Sequence, residues 1–394
     1  MIALNINILD IAIRKGIFWP SFEIYGKIQG FCTYGPTGSL LKINIERFIR
    51  DYYLKREGCM LIEAPSLIPE EVWFVSNYRG DFKDRLIRCK RCGKFYILDQ
   101  LINENISKKV KPSPQEMYKF IIKKGVKCPR CSSKLITIFA HNLTFKTFIS
   151  EESDLKGIMR PETAQTTYMS FKRLYQMANR KLPFGVIQFG KSFRNEAIPS
   201  IIRLREFTQA EAQFFVDPEK KKKHQGFDGI KNLKVPVVIG KDKNGAINPV
   251  KMKLGNLVKN ELTNEWVAYY IGVCFKLFEG MGIKCEKLVC RKKPEIFYSN
   301  DLWDVEYMSD SIGKIELVAI ADRGDYDLKR HMKLSGIDMR VKEGGRKFVP
   351  HVIEVAHGVD RALLSVIESC LKKNKSGGFY FSFPPSISPS QHFR

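Results

Sequence analysis

The chain has 394 residues, enough for one large domain or for two to three smaller ones. A hydrophobic content of 44% with 12% aromatics is that of a folded globular protein and excludes a disordered chain. The net charge of +24 favours a polyanionic partner such as nucleic acid, with a lysine-rich composition bias or a basic surface kept for solubility as alternatives.

No run of the sequence approaches the ~20 apolar residues that span a bilayer. The apolar start lacks the basic region and the cleavage site of a signal peptide, so we interpret it as mature protein. Apart from two CxxC pairs, the ten cysteines are scattered, which suits a reducing compartment better than a disulfide framework. We therefore expect a cytoplasmic location.

The first predicted elements are a turn, a helix and a strand. Residues 34–38 are a glycine-rich turn. Apolar residues between Leu40 and Tyr53 recur at the spacing of one helix face, and Gly58 ends the predicted helix. Residues 59–62 then predict a short strand.

A lysine-rich segment over 84–137 is bracketed by the two CxxC pairs. Four sulfurs at about 2.3 Å from one ion give the tetrahedral geometry that structural zinc favours. The implied ligands are Cys89, Cys92, Cys128 and Cys131. Because no histidine or water-bearing position is implied, we expect a structural metal; a disulfide or unliganded thiols are the alternatives.

The middle of the chain predicts a long hairpin, with two strand-like runs over 184–215 joined by a loop at 197–202. The polar stretch from about 218 to 260 predicts a surface insertion, and 261–280 has a helical period. The remainder alternates strands and turns and ends in a helix predicted over 359–372.

The hairpin carries side chains that a core would not hold without partners. A strand repeats every second residue, so one face carries Arg203, Arg205, Phe207, Gln209 and Glu211. Arg194 and Glu196 likewise share a face of the preceding strand. The set suits a nucleoside triphosphate and an amino acid together, with guanidinium groups for phosphate, a ring for the base and carboxylates for an ammonium. A solvated face with ion pairs is the alternative.

The sequence FRNE (193–196), followed by a loop and REFTQAE (205–211), resembles motif 2 of class II aminoacyl-tRNA synthetases and, in particular, of glycyl-tRNA synthetases. Further stretches agree in order: 22–38, 58–65 as motif 1, the CxxC segment of the archaeal and eukaryotic branch, 160–165, 316–331, and 350–361 as motif 3. The resemblance implies an α+β fold, the class II synthetase core, whose antiparallel sheet is flanked by helices and carries an inserted zinc-ribbon-like segment.

The resemblance also divides the chain. The core with motif 1 covers 1–83, the zinc-ribbon segment 84–137, the core with motif 2 138–216, the surface insertion 217–262, and the core with motif 3 263–394. Family members continue into an anticodon-binding domain where this sequence stops. We therefore expect that the domain is absent from the protein, is supplied by a separate chain, or is missing because the sequence is truncated.

By resemblance, Arg194 contacts the α-phosphate of ATP, Phe207 stacks on the adenine, and Arg361 holds the far end of the triphosphate. Glu316 matches a carboxylate that helps to hold Mg²⁺. The complete implied ATP site is Arg194, Asn195, Glu196, Arg203, Arg205, Phe207, Glu316, Leu317, Gly358 and Arg361. The catalytic members are Arg194, Glu196 and Arg361.

The implied glycine site is Glu162, Phe207, Gln209, Glu211 and Glu354, whose carboxylates surround the glycine ammonium. A wall that clashes with any larger side chain makes the pocket selective, so editing is not required.

The chain departs from the family pattern around the amino acid and the tRNA end. The departures are 76–78 and 96–99, a shorter motif 2 loop at 198–200, Gln213 for a glutamate, and 355–356 for a Pro-Ser pair. The ATP site is thus more strongly implied than glycine selectivity.

The implied function is activation of glycine with ATP to glycyl-adenylate, release of pyrophosphate, and transfer of glycine to tRNA(Gly), by a homodimer formed through motif 1. Two alternatives stay open: a non-catalytic nucleic-acid-binding paralogue and an adenylate-forming paralogue for another small acceptor.

Overall fold

The structure, a computed structural model, describes residues 8–26, 28–75, 82–101, 114–240, 248–294 and 298–389. The departure at 76–78 lies outside the described residues. Within them, no helix is both long enough and apolar enough to cross a membrane.

Eleven α-helices lie in this part of the chain: α1 (Ile8–Arg14), α2 (Pro36–Lys55), α3 (Glu70–Val75), α4 (Leu98–Leu101), α5 (Pro114–Lys123), α6 (Ala164–Met169), α7 (Phe171–Met177), α8 (Leu254–Lys259), α9 (Glu265–Gly280), α10 (Tyr326–Ser335) and α11 (Val359–Cys370). The helices predicted after the glycine-rich turn and at the end of the core are confirmed as α2 and α11.

The strands of the described residues are β1 (Phe18–Pro20), β2 (Cys32–Tyr34), β3 (Met60–Ile62), β4 (Leu67–Pro69), β5 (Lys83–Cys89), β6 (Phe95–Ile97), β7 (Leu135–Asn142), β8 (Phe145–Ser150), β9 (Leu155–Met159), β10 (Phe184–Phe193), β11 (Glu206–Val216), β12 (Lys234–Val238), β13 (Val250–Lys253), β14 (Leu288–Lys292), β15 (Asp301–Ser309), β16 (Gly313–Gly324), β17 (Val341–Glu343), β18 (Arg346–Phe348), β19 (His351–Gly358), β20 (Leu371–Lys373) and β21 (Phe379–Phe381).

A nine-stranded sheet in the order β13-β12-β14-β15-β16-β19-β11-β10-β3 is the centre of the molecule. Its neighbours run antiparallel except for the pairs β12 with β14 and β10 with β3. Helices α2, α9 and α11 pack on one face, and α6, α7 and α10 pack on the other. The predicted α+β fold with an antiparallel sheet flanked by helices is therefore confirmed.

The glycine-rich turn before α2 permits a close approach of two chain segments. A Cβ atom on Gly35 would lie 2.0 Å from the carbonyl oxygen of Gly16, and one on Gly38 would lie 1.8 Å from that of Ile17. Only glycine fits at such distances. Pro36 then opens the helix, where its missing N–H has no cost.

The alternation along β11 decides which side chains face the core. Ala210, Ala212 and Phe214 pack against α2 and α9. The odd-numbered residues of the strand face the other side of the sheet, where Phe215 packs against α6 and α7. The predicted common face of Phe207, Gln209 and Glu211 is therefore confirmed.

The hairpin loop is longer than the predicted 197–202. The β10–β11 pairing ends at Phe193 opposite Glu206, so the loop covers 194–205. Arg203 and Arg205 therefore precede the strand. Strand alternation does not determine where their side chains point.

Residues 217–262, expected to be a surface insertion, contribute two strands to the central sheet. β12 pairs with both β13 and β14, and Val235 and Val237 are fully buried. Leu254 and Leu257 of α8 are also buried in the main core. Buried apolar residues at every second position are what a sheet strand requires.

Candidate active site

One cavity of about 280 Å³ opens on the face of β11 that carries the odd-numbered residues. Its lining includes the predicted ATP and glycine residues other than Asn195 and Arg205: Glu162, Arg194, Glu196, Arg203, Phe207, Gln209, Glu211, Glu316, Leu317, Glu354, Gly358 and Arg361. Residues up to about 200 positions apart in the sequence thus meet in one place.

Asn195 and Arg205 are outside this lining. The side chain of Asn195 donates to the carbonyl oxygen of Asn142 at 3.2 Å. Arg205 donates to the carbonyl oxygens of Gln29 and Glu196, each at 3.3 Å. Both side chains hold neighbouring loops together rather than face the cavity.

At one end of the cavity three carboxylates converge. Glu211 and Glu354 lie on the adjacent strands β11 and β19, where Glu211 is opposite Ala356. Glu211 and Glu354 are therefore diagonal neighbours on one face, close enough to interact. Glu162 approaches from the segment before α6 and also lines the cavity.

Each of the two strand carboxylates accepts hydrogen bonds from nearby side chains. Glu211 accepts from the hydroxyl of Thr163 at 2.5 Å and from the amide nitrogen of Gln209 at 2.9 Å. Glu354 accepts from the hydroxyl of Tyr168 at 2.7 Å. These bonds fix the carboxylates in position.

The negative charge at this end exceeds what the surroundings neutralise. Burial, and then the charges of Glu354 and Glu162, raise the pKa of Glu211 to about 8. Burial also raises the pKa of Glu162. A small cation that enters this end would supply the missing positive charge.

Arg323 is a member of this end that the sequence reasoning did not single out. Its guanidinium donates to both carboxylate oxygens of Asp327, at 2.6 and 2.9 Å, and to Glu354 at 3.2 Å. Asp327 is fully buried and pairs with Arg323 through both of its carboxylate oxygens, so much of the arginine's positive charge is already compensated.

A β-bulge explains why Arg323 and Glu316 both reach the cavity. The register of β16 with β15 shifts between Val305 and Glu306. Core-facing residues of β16 change from Ile315 and Leu317 to Val318 and Ile320 across the bulge, where Leu317 also borders the cavity. The cavity-facing set correspondingly changes from Glu316 to Ala319, Ala321 and Arg323. Strict alternation would place Glu316 and Arg323 on opposite faces.

At the other end, arginines from the hairpin loop and from the start of α11 line the cavity together with the ring of Phe207. The guanidinium of Arg194 lies 5.4 Å from the ring centre of Phe207 and donates to the carbonyl oxygen of Pro161 at 3.2 Å. Arg203 pairs with Glu196 at 2.5 Å and with Asp84 at 3.1 Å.

Arg361 completes the arginine end from the first turn of α11. It donates to the carbonyl oxygen of Glu316 at 3.1 Å and to its carboxylate at 3.4 Å. The side chains of Arg203 and Arg361 are 25% and 33% exposed, so their guanidinium groups are open to a bound phosphate.

Asp304 and Lys293 also line the cavity and were not predicted. Burial, and then the charge of Glu316, raise the pKa of Asp304 to about 8, while the ammonium of Lys293 lies 2.5 Å from it. Burial opposes ionisation of Glu316, but Arg361 and Lys293 outweigh it and lower its pKa. Two adjacent carboxylates of this kind are oxygen ligands that suit a hard divalent cation.

The four cysteines of the CxxC pairs come together at the three-stranded sheet β6-β5-β7. Their sulfurs lie within 4.8 Å of one another, and none of them forms a disulfide. The distances from Cys89 to Cys131 and from Cys92 to Cys128 are 3.5 and 3.7 Å. A tetrahedron with metal–sulfur bonds of about 2.3 Å has edges of about 3.8 Å, so the four thiolates fit one metal ion.

The turns after the two pairs have the geometry such a site requires. Gly93 and Ser132 both have positive φ, 69° and 54°. The backbone N–H of Cys92 points at the sulfur of Cys89 at 3.5 Å. The hydroxyl of Tyr96, in the departure at 96–99, lies 3.1 Å from the sulfur of Cys128.

Comparisons with known proteins agree with this architecture. Residues 145–235 match the family model described as tRNA synthetase class II core domain (G, H, P, S and T). The glycine–tRNA ligase of Methanococcus vannielii is 41% identical over 347 residues, covering 85% of this chain and 60% of its own length. That of Pyrococcus horikoshii is 41% identical over 339 residues, covering 84% and 59%.

Among solved structures, Giardia lamblia prolyl-tRNA synthetase in complex with prolyl-adenylate covers 97% of this chain and 53% of its own, with a TM-score of 0.54. At 13% identity it shows a shared fold alone. The chain spans about three-fifths of the length of the curated relatives it matches. Over about 85% of its length the chain is homologous to the glycine–tRNA ligases, and its residues 145–235 match the class II tRNA synthetase core domain.

Proposed function

We propose that this chain activates glycine with ATP, forming glycyl-adenylate and releasing pyrophosphate, as part of a glycine–tRNA ligase. The observation that carries the proposal is the single cavity with carboxylates at one end and arginines at the other. In this reaction the carboxylate of the amino acid must meet the α-phosphate of the nucleotide. A cavity with carboxylates at one end and arginines at the other can bind the ammonium group and the phosphates at the same time.

The carboxylate end binds the ammonium group of glycine. Glu211 and Glu354 are 3% and 7% exposed, so the ammonium is paired with them in a largely dehydrated place. Ala356 lies opposite Glu211 on the neighbouring strand and also lines the cavity. The walls formed by the sheet leave room for a small amino acid and select by size.

The arginine end binds ATP. The adenine stacks on the ring of Phe207, and Arg361 binds the terminal phosphates. Arg194 lies beside Phe207, where it pairs with the α-phosphate as the glycine carboxylate oxygen attacks the phosphorus and the bond to pyrophosphate breaks. Preorganised positive charge at this point stabilises the transition state.

Asp304 and Glu316 are the residues that would hold Mg²⁺ with the triphosphate. A divalent ion bound there would neutralise charge on the phosphates as pyrophosphate leaves. Lys293 keeps Asp304 in place at 2.5 Å. We likewise propose that Cys89, Cys92, Cys128 and Cys131 hold a structural zinc ion.

We further propose that the activated glycine is transferred to tRNA(Gly), consistent with the net charge of +24. Leu61, in motif 1, and Ile43, in the preceding helix α2, are 47% and 57% exposed, which supports the predicted homodimer. A separate anticodon-binding chain remains a prediction from the resemblance. A cytoplasmic location remains a prediction from the scattered cysteines of the sequence.

Glycine-dependent exchange of pyrophosphate into ATP tests the activation step, with alanine and serine as control substrates. We expect exchange with glycine and little with the controls. Exchange with another amino acid alone would support the adenylate-forming paralogue. Specific binding of tRNA without exchange would support the non-catalytic paralogue. Charging of tRNA(Gly) by the chain alone is a separate measurement.

A further inference from the structure

The strand β19 leaves the central sheet just beside the arginine end of the cavity. The last residue pair between β11 and β19 is Gln209 with Gly358, and α11 begins at Val359. The backbone N–H of Thr208 lies one position beyond this pair. It therefore has no carbonyl partner on β19.

A side chain takes the place of that missing carbonyl. The carboxylate of Asp360 accepts the N–H of Thr208 at 2.5 Å and also accepts the hydroxyl of Tyr34. Asp360 is 8% exposed and belongs to the cavity lining. A buried backbone N–H without a partner is costly, so this carboxylate ends the ladder in a stable way.

Lys42 supplies the positive charge that compensates Asp360. Its ammonium lies 3.9 Å from the carboxylate and donates to the hydroxyl of Thr208 at 2.5 Å. Glu46 lies 3.2 Å from the same ammonium. The groups around Asp360 thus come from β2, α2 and β11, and they join three elements at one point.

This junction lies next to two residues of the proposed ATP site, Phe207 and Arg361. Thr208 directly follows Phe207, and Asp360 directly precedes Arg361. One carboxylate therefore ties the strand that carries the adenine-stacking ring to the helix that carries the phosphate-binding arginine. We propose that Asp360 is a positioning residue that sets the distance between Phe207 and Arg361 for ATP, an inference that rests on the proposed function.

The glycine end does not depend on this junction. Glu211 and Glu354 lie within the paired part of β11 and β19, where backbone hydrogen bonds between the strands hold them. Loss of Asp360 should therefore weaken ATP binding while glycine binding stays nearly unchanged. A residue needed only for folding would not separate the two substrates.

The test is Asp360→Asn in the full chain, with ATP affinity measured by calorimetry and the KM values for ATP and glycine by pyrophosphate exchange. The asparagine amide group would face Tyr34 and Lys42, where a carboxylate is required. We expect ATP to bind about tenfold more weakly with the glycine KM nearly unchanged, and the unfolding temperature to fall because the buried donors of Tyr34 and Lys42 lose their acceptor.

Glu368→Gln is the matched control, because Glu368 lies on the same helix and also accepts several hydrogen bonds. Its donors include the hydroxyls of Ser309 and Ser311 and the N–H of Asp310, at 2.5 to 2.9 Å. We expect ATP affinity like that of the wild type.

Equal ATP affinity in wild type and Asp360→Asn would overturn the positioning role and leave the proposed function intact. A wild-type chain that binds no ATP would reject both. If Asp360→Asn does not fold, Tyr34→Phe removes one donor and leaves the backbone contact in place. A rise of about threefold in the ATP dissociation constant is then expected, and no rise would refute the role.

Discussion

The two ends of the cavity hold their charges in different ways. The carboxylates Glu211 and Glu354 sit on the inner part of paired strands and are almost fully buried. The arginines Arg194, Arg203 and Arg361 come from a loop and from a helix start, and they remain partly exposed. Position in the sheet thus separates a buried, strand-paired end from a more open one.

This difference corresponds to different tasks. In the proposed function, the negative charge at the carboxylate end pairs with the glycine ammonium, and the walls formed by the sheet select by size. At the arginine end, Arg203 and Arg361 already pair with Glu196 and Glu316, so the phosphates of the proposed ATP would compete with these carboxylates. Selectivity is expected from the first end and transition-state stabilisation from the second.

The largest effect on pyrophosphate exchange is expected from a substitution at the arginine end alone. Arg194→Ala removes the charge next to the reacting phosphorus, so pyrophosphate exchange should fall by about 10² to 10³. Glycine affinity should stay near the wild-type value. Arg173, exposed on α7 and outside the cavity lining, provides the control Arg173→Ala, which should keep full exchange. Full exchange by Arg194→Ala would contradict its role.

The next largest effect is expected from a substitution at the carboxylate end alone. Glu211→Gln removes a charge-assisted hydrogen bond to the ammonium, so the glycine KM should rise about 10- to 100-fold in exchange assays, with the ATP KM unchanged. Glu206→Gln, on the same strand with a half-exposed side chain paired to Lys191, is the control. A parallel rise in both KM values for Glu211→Gln would show that the two ends are not independent.

The pH dependence of the carboxylate end is the third test. Glu211, with a pKa of about 8, must lose its proton before it can pair with an ammonium. Between pH 6 and 8 the glycine dissociation constant should therefore fall by about tenfold per pH unit and then level off. Calorimetry with glycine measures this dissociation constant directly. A dissociation constant that does not change with pH would contradict the excess negative charge proposed for the carboxylate end.

The raised pKa of Glu211 also predicts how the free energy of unfolding changes with pH. The raised pKa means that Glu211 of the folded chain holds a proton that the unfolded chain releases near the ordinary glutamate pKa of 4.5. The free energy of unfolding should therefore decrease as pH rises from about 5 to 8, and Glu211→Gln should reduce that decrease. Thermal unfolding of the ligand-free wild type and of Glu211→Gln between pH 5 and 8 tests this prediction.

The smallest effect on the cavity is expected from a third region. Cys89→Ser removes one of four converging sulfurs, so bound zinc and the unfolding temperature should fall, while both KM values change less than about twofold. Cys285→Ser changes a partly buried thiol outside the cluster and should leave the zinc content unchanged. Zinc retained at full stoichiometry by Cys89→Ser would refute the four-thiolate site.

Much of the site follows from local patterns in the sequence. The alternation of Phe207, Gln209 and Glu211 depends only on the two-residue repeat of a strand, so their common face could be predicted. The CxxC pairs likewise fix two sulfurs on each tight turn. The resemblance of motifs then brought in Arg361, Glu316 and the other distant residues, which no local period connects.

Other features were decided by pairing between distant strands. The bulge opposite Val305 and Glu306 turns both Glu316 and Arg323 into the cavity, and no period in the sequence of β16 indicates it. The departure of β19 at Gly358 creates the position that Asp360 fills, and residues 234–238 join the sheet instead of forming a surface insertion. A sequence period reports which face a residue shares with its neighbours in the chain. Register, bulges and strand ends depend on hydrogen bonds to strands far away in the sequence, so only the tertiary structure determines them.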